Sequence, residues 1–198
     1  MNSTKTFNGK VLQDPPLAQT LFNSVYAAWL WLPLRIWIGY KWIDAALHKI
    51  DNPAWVQTGD ALKGYWTGAT AIPAEGRPAI AFDWYREFLT MLLEAEAYTW
   101  FGKLIVYGEL LVGIGLVLGA LTGFAAFFGA VMNFNFMLAG SASTNPVLFI
   151  IAIGLMLSWK VSGLVGLDYF ILRSLGTPWK AAEEKTVELG KLAPIGTD

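Results

Sequence analysis

Leu104-Ile105-Val106-Tyr107-Gly108-Glu109-Leu110-Leu111-Val112-Gly113-Ile114-Gly115-Leu116-Val117-Leu118-Gly119-Ala120-Leu121 is an apolar run interrupted by one carboxyl. A helix needs roughly 20 residues to cross the ~30 Å hydrocarbon core of a bilayer, and this run is close to that length. Working outward, Leu21 to Leu47, Phe124 to Gly140 and Val147 to Leu167 read the same way. Only Thr122 and Gly123 separate the second run from the third, which predicts a tight antiparallel hairpin. Ser141 to Pro146 joins the third to the fourth, with Pro146 suited to the first turn of the last helix. The expectation is an all-α membrane protein: a four-helix transmembrane bundle with both termini on one side.

Composition supports that class. Hydrophobic residues make up 55% of the 198, charged residues 15%, and the mean hydropathy is +0.46, more apolar than a typical soluble domain at ~45–50%. A net charge of -1 with scattered Lys and Arg gives no basic surface for nucleic acid. The chain has no cysteine, which removes disulfides, dithiol redox chemistry and thiolate metal ligands. The polar N-terminal segment, residues 1–19, contains Pro15-Pro16 and lacks the pattern of a cleaved signal peptide, so the first apolar run is expected to stay as a helix. The tail, residues 177–198, is polar and expected to be exposed.

The long connection, residues 51–102, divides in two. Asp51 to Pro78 is rich in Gly, Pro and Thr with Trp55, Tyr65 and Trp66, and reads as irregular but aromatic. Ile80 to Ala97 places Phe82, Tyr85, Phe88, Leu89 and Leu92 at helical spacing opposite Asp83, Arg86, Glu87, Glu94 and Glu96, predicting an additional amphipathic helix. Trp84, Trp100 and Phe101 are expected at headgroup depth. Lys and Arg lean toward the terminal side, which predicts cytoplasmic termini and an extracytoplasmic long loop.

Ionisable groups inside apolar helices are costly, so they are candidates for function. On the first helix these are Arg35, Lys41, Asp44 and His48, with Lys49 at its end; Glu109 is on the second and Lys160 on the last. Lys41, Asp44 and His48 share one face by three- and four-residue steps. At ~1.5 Å per residue, Lys41, Asp44, Glu109, Asn133 and Asn135 fall in one layer in the loop-side half of the bilayer, and Lys160 does not. Each has a plainer alternative. Lys41 and Asp44 can neutralise one another, Glu109 can bridge to Arg35, Lys41 or Lys49, His48 can be a surface residue, and the asparagines can be interhelical hydrogen-bond glue. Gly115, Gly119 and Gly123 repeat every four residues, a small-residue stripe that lets helices approach closely. No phosphate loop, zinc pair, nucleophile elbow or haem motif is present.

Several runs together resemble the DoxX/DoxD family. They are Arg35-Ile36-Trp37-Ile38-Gly39 with Lys49, Gly108-Glu109-Leu110-Leu111-Val112-Gly113, Leu118 to Gly123, Asn133-Phe134-Asn135, Ala139 to Pro146 and Gly166-Leu167-Asp168. The resemblance spans Arg35 to about Trp179 and so covers most of the expected membrane domain, residues 20–176. It is nearest to the DoxD-type large subunit of thiosulfate:quinone oxidoreductase. This implies oxidation of thiosulfate to tetrathionate with electrons passed to membrane quinone, in a prokaryotic-type plasma membrane, alongside a separate DoxA-type small subunit.

On that reading Glu109, His48 and Asp44 are the catalytic proton-handling groups. Arg35, Lys41, Lys49, Asn133 and Asn135 bind substrate, while Trp42, Tyr107, Phe134 and Phe136 wall the quinone. Quinone is the expected electron acceptor, with no metal or haem; lipid and a respiratory-chain complex are further expected partners. The alternative is a noncatalytic membrane anchor or assembly subunit of a redox complex.

Overall fold

The computed structural model describes residues 6–7, 10–11 and 14–176; the C-terminal tail, residues 177–198, and residues 1–5, 8–9 and 12–13 of the N-terminal segment lie outside the described residues. Thr6–Phe7 (β1) and Lys10–Val11 (β2) form a short antiparallel pair. All other regular structure among the described residues is helical.

All four expected runs are helical, but only the second and third keep to a single helix each. The first is cut at Ser24, whose extended backbone separates α1 (Pro16–Asn23) from a 3-10 turn (Val25–Ala27) that leads into α2 (Ala28–Ile50). The Ser24 hydroxyl accepts a hydrogen bond from the Tyr26 amide, the local bonding that lets serine end a helix. α6 (Tyr98–Leu118) and α7 (Thr122–Leu138) form the expected hairpin.

The fourth run is broken rather than continuous. α8 (Asn145–Leu157) stops where the Ser158 hydroxyl bonds back to the Gly154 carbonyl, and α9 (Trp159–Ser162), a turn and α10 (Asp168–Ser174) follow. At ~1.5 Å per residue, the 13 residues of α8 reach only ~20 Å. Among the described residues α6 alone is both long and apolar enough to cross a membrane by itself. α2 has the length but carries Arg35, Lys41, Asp44, His48 and Lys49.

The main core lies where Ile38 and Trp42 of α2 meet Leu116 of α6, Ala126 of α7, and Ala152 and Leu155 of α8. The outward faces stay apolar, with Leu111, Phe124 and Ile150 exposed. The connection expected to be irregular over residues 51–78 is largely helical. Asn52 caps α3 (Pro53–Val56) by accepting from the Ala54 amide, and α4 (Asp60–Thr70) buries Leu62, Trp66 and Ala69 at four- and three-residue steps. The expected amphipathic helix is α5 (Asp83–Glu94), with Tyr85 and Leu89 on its buried face. Together α4 and α5 cover α6 and the end of α7 with a second core that includes Ile80, Tyr98, Ile105 and Ala139. Trp84 and Trp100 are exposed, and Phe101 packs on Trp66.

The closest helix contact does not use the expected glycine stripe. Gly119 ends α6 in a left-handed conformation (φ +64°), and Gly123 sits in α7 against Trp159. The tight crossing is instead α2 on α6 at Gly39 and Gly113. A Cβ at Gly113 would stand 2.6 Å from Ile43 Cγ1 and 2.9 Å from the Gly39 carbonyl oxygen. Gly113→Val should therefore force the helices apart and destabilise the fold by at least ~1–3 kcal/mol. Gly64→Ala, in a helix with open space around the position, should stabilise by ~0.5–1 kcal/mol. Thermal unfolding in detergent checks both.

Candidate functional site

The close α2–α6 crossing brings Lys49 onto Glu109. The helices run antiparallel, with Gly39 against Gly113 and Val117, and Lys49 further along against Glu109. Lys49 Nζ donates to both carboxylate oxygens, at 2.8 and 2.6 Å, and Glu109 is 1% exposed. The ammonium also faces the Trp55 ring, 5.4 Å from its centroid. Of the three cations considered for Glu109, Lys49 is the one the fold supplies.

The inward face of α2 explains the choice. Arg35, Ile38, Gly39, Trp42 and Ala46 are its buried stripe, and Lys49 continues it by one more step. Lys41, Asp44 and His48 form a neighbouring stripe that faces outward. His48 Nδ1 donates to the Asp44 carbonyl at 2.7 Å and lies 3.6 Å from its carboxylate, with the two side chains 77% and 43% exposed. Lys41 is half-buried beside the Tyr40 ring. The single layer expected to contain all of these groups is therefore split: Glu109 and Lys49 lie inside, Lys41, Asp44 and His48 outside.

Arg35 belongs to another cluster. It precedes Lys49 by 14 positions, ~21 Å along the helix. Its guanidinium donates to the Ser162 carbonyl (3.0 Å) and the Val165 carbonyl (2.8 Å) and is attracted by the Asp168 carboxylate. Asp168 accepts from the Leu121 and Thr122 amides at 2.6 and 2.8 Å, capping the start of α7. Arg35 and Asp168 are each 1% exposed. This arrangement locks the α6–α7 turn to the α9–α10 turn, and it places Arg35 away from the Glu109 layer. Lys160 donates to the Asn23 side chain at the same end.

Asn133 faces the interior of the bundle. It lies one turn beyond Gly129 on the same face of α7, and Gly129 packs against Trp42 and Val112. The Asn133 side chain is fully buried, and neither its oxygen nor its nitrogen has a protein partner; the same is true of Trp42 Nε1.

A cavity of 430 Å³ lies beneath α4 and α5, against α6 and α7. Its walls are mostly aliphatic and aromatic, with a polar end formed by Tyr65, Tyr85 and Asn135. Tyr85 Oη lies 3.1 Å from both the backbone and side-chain oxygens of Asn135, while Asn135 Nδ2 donates to the Val131 carbonyl. Burial, reinforced by Tyr65, pushes the Tyr85 phenol up to about 12. Burial also raises Tyr65, whose hydroxyl has no hydrogen-bond partner among the described residues.

Of the aromatics expected to wall a quinone, Phe136 lines this cavity. Tyr107 and Phe134 are about half exposed on the outer surface, where Phe134 stacks on Phe149, and Trp42 lies in the main core. The sequence reading missed Tyr65 and Tyr85 as site residues. Tyr85 could have been found from its place on the apolar face of α5, where a buried hydroxyl needs a partner.

Removing either partner of the Lys49–Glu109 pair leaves a buried charge alone. Lys49→Met should cost ~3–5 kcal/mol, and the Lys49→Met, Glu109→Leu double variant clearly less, as read by denaturation of the two singles and the double. Tyr85 titrates near 10.0 when unfolded and about 12 when folded, so only the unfolded state ionises between those values. Stability should be unaffected by this group below pH 10 and should fall as pH rises toward 12, a slope that Tyr85→Phe removes in alkaline unfolding curves.

No curated protein and no solved structure matches this chain. A family does match over residues 30–191, and its description is "TQO small subunit DoxD", the abbreviation standing for thiosulfate:quinone oxidoreductase. The expected assignment to a large subunit is not supported by that description. The match includes both α2 and the Arg35–Asp168 lock, and with most of its length covered the chain belongs to the DoxD family, a membrane family.

Proposed function

We propose that this chain is the quinone-reactive membrane subunit of a thiosulfate:quinone oxidoreductase system, and that the cavity beneath α5 receives the quinone ring. Family membership suggests the system. The observation that carries the quinone reading is an apolar cavity ending in two phenols and an amide. Flat apolar rings with carbonyl oxygens at opposite ends suit such a chamber. The Tyr85 phenol stays protonated throughout the physiological range, and its one hydrogen, held by the Asn135 oxygens, turns from them to a quinone carbonyl when the ring enters.

The overall reaction balances as two thiosulfate dianions, one quinone and two protons giving tetrathionate and quinol. Two electrons leave the sulfur atoms as the new S–S bond forms, and the quinone takes them up with two protons. Glu109 is an internal source of a proton, while Asp44 and His48 form an exposed relay at the loop end of α2. The sulfur step falls to a separate DoxA-type partner or to the interface with it.

Membrane embedding rests on the apolar outer faces of α6, α7 and α8 and on the treatment of charge in α2. Arg35 and Lys49 are satisfied inside the protein, while Lys41, Asp44 and His48 lie near the loop end, where they reach headgroups. In this arrangement α2, α6, α7 and α8 form the bundle, α4 and α5 sit at the extracytoplasmic surface, and the termini are cytoplasmic.

Thiosulfate-driven reduction of a short-chain quinone analogue should be measurable in membranes containing the protein and a DoxA-type partner. Tyr85→Phe should raise KM for the analogue up to about tenfold, matching a hydrogen bond of ~0.5–1.5 kcal/mol. An absence of quinone reduction with the partner present rejects the reading. Normal kinetics in the Tyr85 variant favour a noncatalytic anchor.

A further inference from the structure

Unpaired buried polar atoms occur at both ends of the main bundle, Arg35 Nε and Thr122 Oγ1 at one and the Asn133 amide with Trp42 Nε1 at the other, and none of the groups assigned above explains the second set. α6 and α7 are antiparallel: a Cβ at Gly115 would lie 3.2 Å from Ala125 Cβ, one at Gly129 3.2 Å from Val112 Cγ1, and one at Gly108 3.7 Å from Met132 Sδ. This register sets Asn133 at nearly the same height as Glu109. Trp42 Nε1 lies one turn deeper, 3.1 Å from where a Gly129 Cβ would be. On α2 the residue at the height of this layer is Ala46, fully buried and small.

Three buried polar groups thus lie within about one turn of one another in height where α2, α6 and α7 pack together. Glu109 has Lys49 on one side, but Asn133 has two donor hydrogens and an acceptor with no protein partner, and the Trp42 indole has an unused donor. Leaving a buried amide without hydrogen bonds costs several times what a typical bond contributes. A small molecule that both donates and accepts relieves this cost, and buried water commonly completes the bonds of otherwise unpaired polar groups in this way.

We propose that Trp42, Glu109 and Asn133 form an internal hydration site, in which ordered water completes the bonds of the amide and the indole and connects them to the carboxylate. The site shares a wall with the cavity beneath α5. Val112 lines that cavity and packs on Gly129, and Gly108 and Met132 line it as the immediate neighbours of Glu109 and Asn133. Water here makes the layer a proton store directly behind the ring site: the Glu109 carboxylate, paired with Lys49 at rest, takes up a proton from the loop end through the water and passes it to the reduced quinone oxygen, then returns to its bond with Lys49. The hydration site stands on the unpaired atoms alone, whereas its use as a proton store rests on the quinone reading of the cavity.

Hydroxyl-radical labelling by synchrotron X-rays in lipid nanodiscs tests the hydration site, because radicals generated from bound water oxidise the side chains it touches. Trp31 is the internal control: it is also buried, but its indole nitrogen donates to the Leu21 carbonyl at 2.8 Å. Trp42 should be oxidised several times faster than Trp31, and Asn133→Leu should bring it down to the Trp31 rate. Equal rates in the wild-type protein, or a Trp42 rate unchanged by Asn133→Leu, overturn the hydration site whether or not the variant is fully stable. Turnover then tests the proton store: Asn133→Leu should slow quinol formation severalfold at saturating quinone analogue with KM unchanged. Unaltered turnover beside slowed labelling refutes the store but keeps the water. Absence of turnover in the wild-type protein refutes the quinone reading and the store together, and leaves the hydration site to the labelling result.

Discussion

The backbone contact between α2 and α6 governs the rest of the molecule. With no side chain at Gly39 or Gly113, two helices of opposite direction come within van der Waals reach of each other's carbonyls. That separation lets a lysine at the end of one helix place its ammonium on a carboxylate of the other without exposing either to lipid. It also turns the rest of α2 so that arginine and tryptophan point inward. A buried ion pair has little net stabilising value of its own, since desolvating two charges offsets most of their attraction. Its value here is positional, because the carboxylate has a fixed address in the α2–α6–α7 seam.

The two ends of the bundle manage polarity differently. At the terminal end the guanidinium of Arg35 meets carbonyls of the α9–α10 turn and Asp168 occupies the amides that open α7, while Arg35 Nε and the Thr122 hydroxyl stay without a partner among the described residues. At the loop end the amide of Asn133 and the indole of Trp42 remain open, and the neighbouring cavity carries phenols.

The class of the chain, the α6–α7 hairpin and the helix at 83–94 were legible in the sequence because each rests on a strong periodic pattern. Membership in the DoxD family was legible in short runs such as Gly108 to Gly113. What could not be read was the rotation of α2. Counting charged residues at three- and four-residue steps selects Lys41, Asp44 and His48, yet the buried stripe is the neighbouring one, fixed by contact with Gly113. The cavity was equally hidden, since its polar end joins Tyr65 and Tyr85 from the long connection to Asn135 from α7. Glycine and proline made the segment before residue 78 look irregular, but the spacing of Leu62, Trp66 and Ala69 outweighed them. Asp168 stood out only as part of a family run; its capping role depends on a turn distant in sequence.

The carboxylate of Asp168 has a temporal consequence. Synthesis delivers Arg35 and the α6–α7 turn long before residue 168 leaves the ribosome, so a guanidinium and two peptide amides must wait in partly formed structure for one late side chain. Until then the nascent bundle keeps an open seam, which arrival of the last turn closes like a latch. The seam between Arg35 and the α6–α7 turn therefore cannot close before residue 168 has been made.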